Sequence, residues 1–316
     1  MSPDVRRPPA GLVVVTGGSG FVGRAVVAAL RAADIEVIVV DREPFGSHGP
    51  GVATVLGDLA DPAVREQALS GSPSAIVHLA AATSVLRSTE EPSATYRANV
   101  EITQHLLEAA RRGGVGRFLL ASTNAVVGEV GHATIDETTP LRPLTPYGAT
   151  KAACEMLLAG YAGAYGLATC ALRFTNVYGP GMGHKDSFVP RLMRAALAGG
   201  SVQVFGDGTQ RRDLVHVSDV AQAVLRALPS AVTGPLIVGS GRSITVLDLV
   251  DAARSATGRP IGVEHVPAKR GEMPAVLVDN GRARTELGWS PALSLTAGLG
   301  TVWDDFRRNP VGEGQP

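Results

Sequence analysis

The fold of this chain is decided by residues 12–23, which read Leu-Val-Val-Val-Thr-Gly-Gly-Ser-Gly-Phe-Val-Gly. The β-branched run up to Thr16 is typical of a buried strand, and the stretch from Gly23 to Ala33 predicts a helix. Because glycines lack a Cβ atom, the turn can bring its amides close to an anion, and the helix N-terminus adds unpaired N–H groups and a positive dipole end. The spacing Gly-x-x-Gly-x-x-Gly therefore indicates either a pyrophosphate site or simply a tight strand-to-helix turn.

Short β-branched runs alternate with Ala/Leu-rich stretches through the first half of the chain. Strands are predicted at 12–16, 36–41, 52–56, 75–79, 117–122 and 168–174, and helices at 23–33, 62–69, 92–112 and 147–165. This alternation indicates an α/β fold with a doubly wound, Rossmann-like parallel sheet. Residues 1–176 are predicted to form the dinucleotide-binding domain, and residues 177–316 a smaller mixed lobe for substrate, with elements around 217–240 packing back on the main sheet.

Composition narrows the class of protein. Hydrophobic residues make up 45% of the 316 residues, and 29 basic residues balance 29 acidic ones. A formal net charge of zero argues against a binder of nucleic acid or of an anionic membrane surface. Two cysteines do not make a disulfide framework, and Met1–Pro9 lacks the apolar segment of a signal peptide or anchor. We expect a cytoplasmic protein without a metal site, with a short disordered lead-in and a disordered tail after Arg308.

Acidic residues follow the second and third predicted strands. Asp41 can accept hydrogen bonds from both hydroxyls of an adenine ribose, which favours NAD over NADP, although the neighbouring Arg42 could instead serve a 2′-phosphate or be a solvated charge. Asp58 could reach the adenine amino group or could simply cap a turn. The cofactor-binding residues predicted from this pattern are Gly17, Gly20, Phe21, Val22, Gly23, Asp41, Arg42, Asp58, Leu59, Leu79, Ala80 and Ala81.

Tyr147 and Lys151 are four residues apart on one predicted helix, so their side chains share a face. A phenol ionises near pH 10, and we expect the nearby ammonium and a cationic nicotinamide ring to lower the pKa of Tyr147. Thr123 follows an apolar strand, at the edge of the sheet where doubly wound folds bind ligands. Its hydroxyl could share a proton with Tyr147. The alternatives are a surface Tyr and Lys, and a loop-capping Thr beside a catalytic Ser122.

These residues resemble the extended short-chain dehydrogenase/reductase family, specifically its nucleotide-sugar epimerases and dehydratases. The resemblance covers about Leu12 to Phe306. Its motifs are TGGSGFVG at 16–23, Asp58, HLAA at 78–81, Asn99-Val100, Thr123, PYGATK at 146–151, LRFTNVYGPG at 172–181 and VFGDGTQRRDLVHVSDVA at 204–221. The resemblance implies Thr123, Tyr147 and Lys151 as catalytic residues, Tyr147, Lys151, Asn99 and Phe174 on NAD, and Asn176, Val204, Phe205, Arg212 and Arg270 on the nucleotide diphosphate and its nucleoside.

The two residues after Thr123 bear on the reaction. Dehydratases of the family carry Asp-Glu there, whereas this chain has Asn124-Ala125, and neither side chain can transfer a proton. The resemblance therefore implies NAD-dependent 4-epimerisation of a UDP-sugar through a 4-keto intermediate. An NAD(P)-dependent nucleotide-sugar reductase is one alternative. A non-catalytic dinucleotide-sensing protein is another, and retention of Thr123, Tyr147 and Lys151 argues against it.

Arg191 is a candidate residue for contact with the sugar. Family members that act on UDP-glucuronate place an Arg in this stretch against the C6 carboxylate, although Arg191 could equally be a solvent-facing residue at a helix start. Thr83, Ser84 and Arg87 could line the same pocket. UDP-glucuronate is thus expected narrowly ahead of UDP-glucose as substrate. The resemblance also implies a homodimer formed through the helices at about 99–112 and 147–163.

Overall fold

The computed structural model describes residues 11–46, 51–268 and 273–309. Seven strands form one sheet in the order β11-β7-β5-β4-β1-β2-β3. They are β1 (Val13–Thr16), β2 (Val37–Asp41), β3 (Val52–Leu56), β4 (Ala75–His78), β5 (Arg117–Thr123), β7 (Ala168–Phe174) and β11 (Gly234–Val238). All neighbouring pairs are parallel. The predicted fold class is confirmed. The predicted lead-in, the end of the tail and Arg270 lie outside the described residues.

Helices cover both faces of this sheet. One face packs against α1 (Phe21–Ala32) and α8 (Val217–Ala227), and the other against α2 (Pro62–Leu69), α5 (Ile102–Arg112) and α6 (Pro146–Tyr165). Successive valines of β1 alternate between the two cores: Val13 and Val15 face the first, and Val14 faces the second. A strand buried on both faces explains why its sequence is continuously apolar.

The rest of the chain builds a smaller mixed unit beside the carboxyl ends of these strands. Its strands are β6 (Thr134–Ile135), β8 (Asn176–Tyr178), β9 (Ser201–Phe205), β10 (Arg211–His216), β12 (Ser243–Thr245), β13 (Gly262–Val266) and β14 (Leu277–Val278), and its helices are α7 (Phe188–Ala198), α9 (Val246–Thr257) and α11 (Leu295–Arg308). Helix α10 (Gly281–Leu287) packs instead in the core of the main sheet, with β11 and α8. Strand β10 pairs with β8 and β12, β9 with β13, and β6 with β14. Strand β11 and helix α8 pack on the main sheet. The predicted division into domains at residue 176 stays a prediction.

The predicted helix over 92–112 is not one regular α-helix. It consists of α4 (Pro92–Tyr96), a π-helical turn (Arg97–Glu101) and α5, preceded by the unpredicted α3 (Val85–Glu90). The π-turn contains Asn99, whose side chain binds the backbone of Ala82. A π-turn adds a residue to the helical turn without changing the hydrophobic periodicity enough to be predicted. Helix α1 begins at Phe21, two residues before the predicted start.

No helix of the described ranges is both long enough and apolar enough to cross a bilayer.

Candidate active site

A cavity of about 560 Å³ lies between the carboxyl ends of the main strands and the smaller unit. The strand order reverses at β1, so the cavity lies where doubly wound sheets bind ligands. Thirteen residues predicted from the sequence line it: Phe21, Val22, Leu79, Thr83, Thr123, Tyr147, Lys151, Phe174, Asn176, Arg191, Val204, Phe205 and Arg212. Among the described residues of its wall there is no Asp, Glu or His.

The N-terminus of α6 carries the predicted acid/base group. Thr145 caps the helix by accepting a hydrogen bond from the Gly148 amide at 3.2 Å, and the Tyr147 amide donates to the Ser88 hydroxyl. A Cβ on Gly148 would lie 2.7 Å from the Ala125 carbonyl oxygen, so only glycine permits this close approach to the loop after β5. The hydroxyl groups of Tyr147 and Thr123 lie in the same wall of the cavity, and hydrogen bonding to Thr123 acts to lower the pKa of Tyr147.

The pKa of Tyr147 differs from the sequence-based expectation. Burial raises the pKa of Tyr147 to about 12, and the hydrogen bond from Thr123 is what opposes this rise. The buried Lys151 ammonium instead donates to the Ala121 carbonyl oxygen at 2.8 Å, and burial lowers the pKa of Lys151. The expected lowering of the Tyr147 pKa by Lys151 is therefore not found among the protein's own groups.

The glycine turn fits a dinucleotide pyrophosphate. A Cβ on Gly23 would lie 2.1 Å from the Gly17 carbonyl oxygen, so a side chain at this position would disrupt the turn. Gly20 is the N-cap residue of α1 and has no side chain to cap the helix, which leaves the first amides of α1 for a ligand. The Asp41 carboxylate accepts a hydrogen bond from the Ser19 amide at 2.9 Å and is thereby held beside the turn.

The residues after β2 and β3 pair with one another. The Arg42 guanidinium lies 3.9 Å from the Asp58 carboxylate, and both side chains are exposed. Asp58 also accepts a hydrogen bond from the Ala60 amide. This bond caps the turn, which is the alternative role that the sequence allows for Asp58. The side chain of Leu59 is buried in the core, so only its backbone could meet a cofactor. These contacts give Arg42 and Asp58 a structural partner in the protein, and their roles on a cofactor stay predictions.

A buried hydrogen-bond network lies behind HLAA at 78–81. The Thr16 hydroxyl lies 2.7 Å from His78 Nδ1, and His78 Nε2 lies 3.2 Å from the Thr103 hydroxyl, which itself donates to the Asn99 carbonyl oxygen. This pattern assigns the ring proton of His78 to Nε2. Burial lowers the pKa of His78 to about 3, so the ring is neutral. The Asn99 amide is fully occupied by Ala82 and Thr150, which makes it a support for the loop after β4 rather than a free donor toward NAD.

An ion pair that is 3–4% exposed lies beneath the site. Arg173 of β7 binds both carboxylate oxygens of Glu155 on α6, with a shortest distance of 2.8 Å. The hydroxyl of Ser122 donates to the same carboxylate at 2.5 Å. Ser122 lines the cavity, but its hydroxyl proton is already donated to Glu155 and is not available to a ligand. The choice of Thr123 over Ser122 as the hydroxyl partner of Tyr147 therefore agrees with the geometry.

Polar side chains predicted to hold the diphosphate lie on β8 and β10. Asn176 donates to the Asp213 carbonyl oxygen at 2.9 Å, and Arg212 donates to the carbonyl oxygens of Arg211 and Met273. The Asp213 carboxylate is fully buried and accepts hydrogen bonds from Thr175 and from the loop after β11. Asp213 thus fixes the strand that carries Arg212 at the cavity.

Only some of the residues expected around the sugar line the cavity. Arg191 lines the cavity, but its guanidinium binds both carboxylate oxygens of Asp186, at 2.9 and 2.5 Å. Thr83 also lines the cavity. Ser84 and Arg87 are not in its wall: Ser84 caps α3, and Arg87 is exposed beside Glu91, so their place in the sugar pocket stays a prediction.

Several wall residues were not predicted. They are Ala121, Ser122, Thr175, Val177, Tyr178, Met182, Lys185, Ser187, Phe188, Val189, Gln203, Gln210, Leu214, Ile244, Thr245, Val246 and Leu249. Most belong to segments whose apolar pattern is already explained by the core of the smaller unit. Lys185 is different, because it is a charged residue in a loop, and nothing in its spacing separates it from a solvated loop lysine.

The chain as a whole is similar to known proteins of one family. The model of the NAD dependent epimerase/dehydratase family matches residues 13–238. A dTDP-glucose 4,6-dehydratase of Streptomyces niveus is 33% identical over 94% of this chain and 93% of its own length.

Two solved structures are similar over the whole fold. The UDP-glucose 4-epimerase of Thermotoga maritima with UDP-glucose superposes with a TM-score of 0.89 at 32% identity, covering 95% of this chain and 99% of that one. MoeE5 in complex with UDP-glucuronic acid and NAD gives a TM-score of 0.86 at 36% identity, covering 94% and 99%.

Proposed function

The chain belongs to the NAD dependent epimerase/dehydratase family, and we propose that within it this protein is a 4-epimerase of UDP-hexoses. The observation that carries the proposal is the make-up of the cavity wall. Thr123, Tyr147 and Lys151 meet at one part of the wall, and no carboxylic acid of the described chain is in it. Such a wall can move one proton on and off a hydroxyl group, but offers no acid/base pair for a second reaction.

That distinction separates the two reactions of the family. Eliminating water from C5 and C6 of a sugar requires a base and an acid besides Tyr147. The positions after Thr123 are Asn124 and Ala125, and they form a short 3₁₀ turn capped by the Thr123 hydroxyl. Neither side chain titrates in a useful pH range. This favours epimerisation although some relatives are dehydratases.

NAD is the cofactor of the family, and the turn at Gly17–Gly23 with Asp41 fits it. When bound, NAD accepts a hydride from a carbon atom and returns it. Tyr147 would remove the proton from the C4 hydroxyl and later return it, with Thr123 bonded to the same oxygen. Lys151, fixed at the Ala121 carbonyl, would hold its charge beneath them.

Asn176 and Arg212 would hold the diphosphate of the nucleotide. A firm grip on the diphosphate and a looser grip on the hexose would let a 4-keto sugar present its other face.

The structure changes the balance between the two substrates. A preference for the uronate depends on a free positive charge at Arg191, whereas Asp186 already binds that guanidinium through two hydrogen bonds. We therefore place UDP-glucose and UDP-galactose ahead of UDP-glucuronate. The complex of MoeE5 with UDP-glucuronic acid keeps the uronate as the second candidate.

The proposal is tested by incubating the protein with UDP-glucose, UDP-glucuronate and dTDP-glucose and following the sugars by NMR. We expect UDP-glucose to equilibrate with UDP-galactose faster than UDP-glucuronate epimerises. The variant Asp186→Asn should raise turnover of UDP-glucuronate severalfold, since the net charge beside Arg191 and Arg194 increases. A 4-keto-6-deoxy product from any substrate would refute the epimerase assignment.

We also propose that the protein is a homodimer formed through α5 and α6. The outer side of α6 is apolar as well as its buried side: Met156 and Tyr165 are each 58% exposed. Tyr96 on the preceding α4 is exposed too. Apolar residues grouped on neighbouring helices are typical of a protein–protein interface.

A further inference from the structure

Lys185 lies in the cavity wall, and the proposed reaction does not use it. It is in the loop between Gly179 and Ser187, and its ammonium lies 4.9 Å from the centre of the Phe21 ring. Phe21 is the first residue of α1, directly after the glycine turn. The loop therefore carries a positive charge to the helix end that the pyrophosphate of NAD is expected to approach.

The loop itself is fixed from two sides. The Gly181 amide donates to the Asp305 carboxylate of α11 at 2.7 Å. Arg194 of α7 donates to the carbonyl oxygens of Gly183 and Lys185 at 3.1 and 3.2 Å. Because its backbone is held in this way, Lys185 is directed toward the cavity without having to order the loop when a ligand binds.

The charge of Lys185 has little compensation within the protein. Within the parts of the chain that the structure describes, no carboxylate forms an ion pair with it, and burial lowers its pKa. The face of Phe21 offers a weak attraction for a cation, which falls short of an ion pair or a charge-assisted hydrogen bond. A partly buried ammonium of this kind gains most from an anionic oxygen in the cavity.

We propose that Lys185 binds a diphosphate oxygen of a ligand in this cavity. The inference rests on the proposed function, because both the cofactor and the substrate of that reaction carry a diphosphate. It adds a cation from the smaller unit to the turn at Gly17–Gly23 and to Arg212. The loop from Gly179 to Ser187 would thereby connect the smaller unit to the dinucleotide-binding turn whenever the ligand is present.

The test uses Lys185→Met, Lys185→Arg and the control Arg307→Met. Arg307 also lies over an aromatic ring, that of Trp303 at 5.9 Å, but outside the cavity. Dissociation constants are measured for NAD and for UDP. Loss of a charge-assisted hydrogen bond should weaken binding about tenfold in Lys185→Met. Lys185→Arg should recover much of it, and Arg307→Met should bind like the wild type.

The results for the two ligands show whose diphosphate oxygen Lys185 binds. Weaker NAD binding alone assigns it to the cofactor, and weaker UDP binding alone assigns it to the nucleotide sugar. Constants within twofold of wild type for both ligands overturn the proposal. If the wild type binds neither NAD nor UDP, the proposed function itself has failed.

A second measurement needs no variant. The chain has three lysines, Lys151, Lys185 and Lys269, so amine labelling followed by mass spectrometry resolves each one. NAD or UDP should slow the labelling of Lys185 about tenfold. An unchanged rate with both ligands at saturation would contradict the proposal even if Lys185→Met failed to fold.

Discussion

At Tyr147, burial and hydrogen bonding act on the pKa in opposite directions. Burial is the larger effect, so the pKa is raised to about 12 although the hydrogen bond with Thr123 lowers it. A general base works in its deprotonated form, so its activity is gained as pH rises through the pKa. The hydrogen bond from Thr123 lowers the pKa of Tyr147 whether or not a ligand is bound.

Replacing Thr123 by Val should therefore move the pH dependence. Without the hydroxyl, the pKa of Tyr147 rises, and the rise of kcat/KM shifts to higher pH. At neutral pH the rate should fall about 10²-fold or more, as for loss of other acid/base partners. The measurement is kcat/KM against pH for the wild type and for Thr123→Val. Ser122→Ala is the comparison, because the Ser122 proton is committed to Glu155. An unshifted profile in Thr123→Val would contradict the assignment.

Single residues also differ in how far their position can be predicted from the sequence. Tyr147 and Thr123 were predictable because each stands at a defined place, the start of a helix and the end of a strand. The Asp186 partner of Arg191 was not, because an exposed pair five residues apart at a helix start has no pattern that distinguishes it from two solvated charges.

At the scale of elements, α6 and β7 are joined by the buried pair of Glu155 and Arg173. Its side chains are 3–4% exposed. Removing one partner of such a pair leaves the other charge buried without compensation, which costs far more than the pair contributes. The pair therefore holds the helix of Tyr147 and Lys151 against the sheet.

We expect Glu155→Gln to lower the free energy of unfolding by about 3–5 kcal/mol. Glu286→Gln removes the partner of Arg282 in a more exposed pair and should cost about 1 kcal/mol or less. Both are measured by denaturant unfolding. The double variant Glu155→Met with Arg173→Met should be more stable than Glu155→Gln. Equal losses in Glu155→Gln and Glu286→Gln would show that burial of the pair is unimportant.

The elements of the main sheet were predictable because long apolar runs leave little choice of period. The π-turn at Arg97–Glu101 was not predictable from period, since one extra residue is set by the contact of Asn99 with Ala82. The two- and three-residue strands of the smaller unit were missed for a similar reason. Runs of two or three residues, such as β14, form only because a partner strand is already in place.

At the scale of the whole molecule, the exposed apolar residues of α6 support the proposed dimer. Met156→Asp should produce a monomer at micromolar concentration, because a carboxylate would be buried at the centre of the interface. Sedimentation or light scattering measures the mass. Leu197→Asp on α7, also an exposed apolar residue on a helix, should leave the mass unchanged. A wild-type mass of 32.6 kDa would contradict the proposal.

The central claim is that this cavity oxidises and reduces the same carbon of a UDP-sugar, and the position of an isotope tests it most directly. The protein is incubated with UDP-glucose carrying deuterium at C4, and the products are examined by NMR. We predict UDP-galactose with the deuterium retained at C4, with no net change in NAD. Deuterium at C6 of a 4-keto-6-deoxy sugar, or its loss to a stoichiometrically consumed cofactor, would contradict the account.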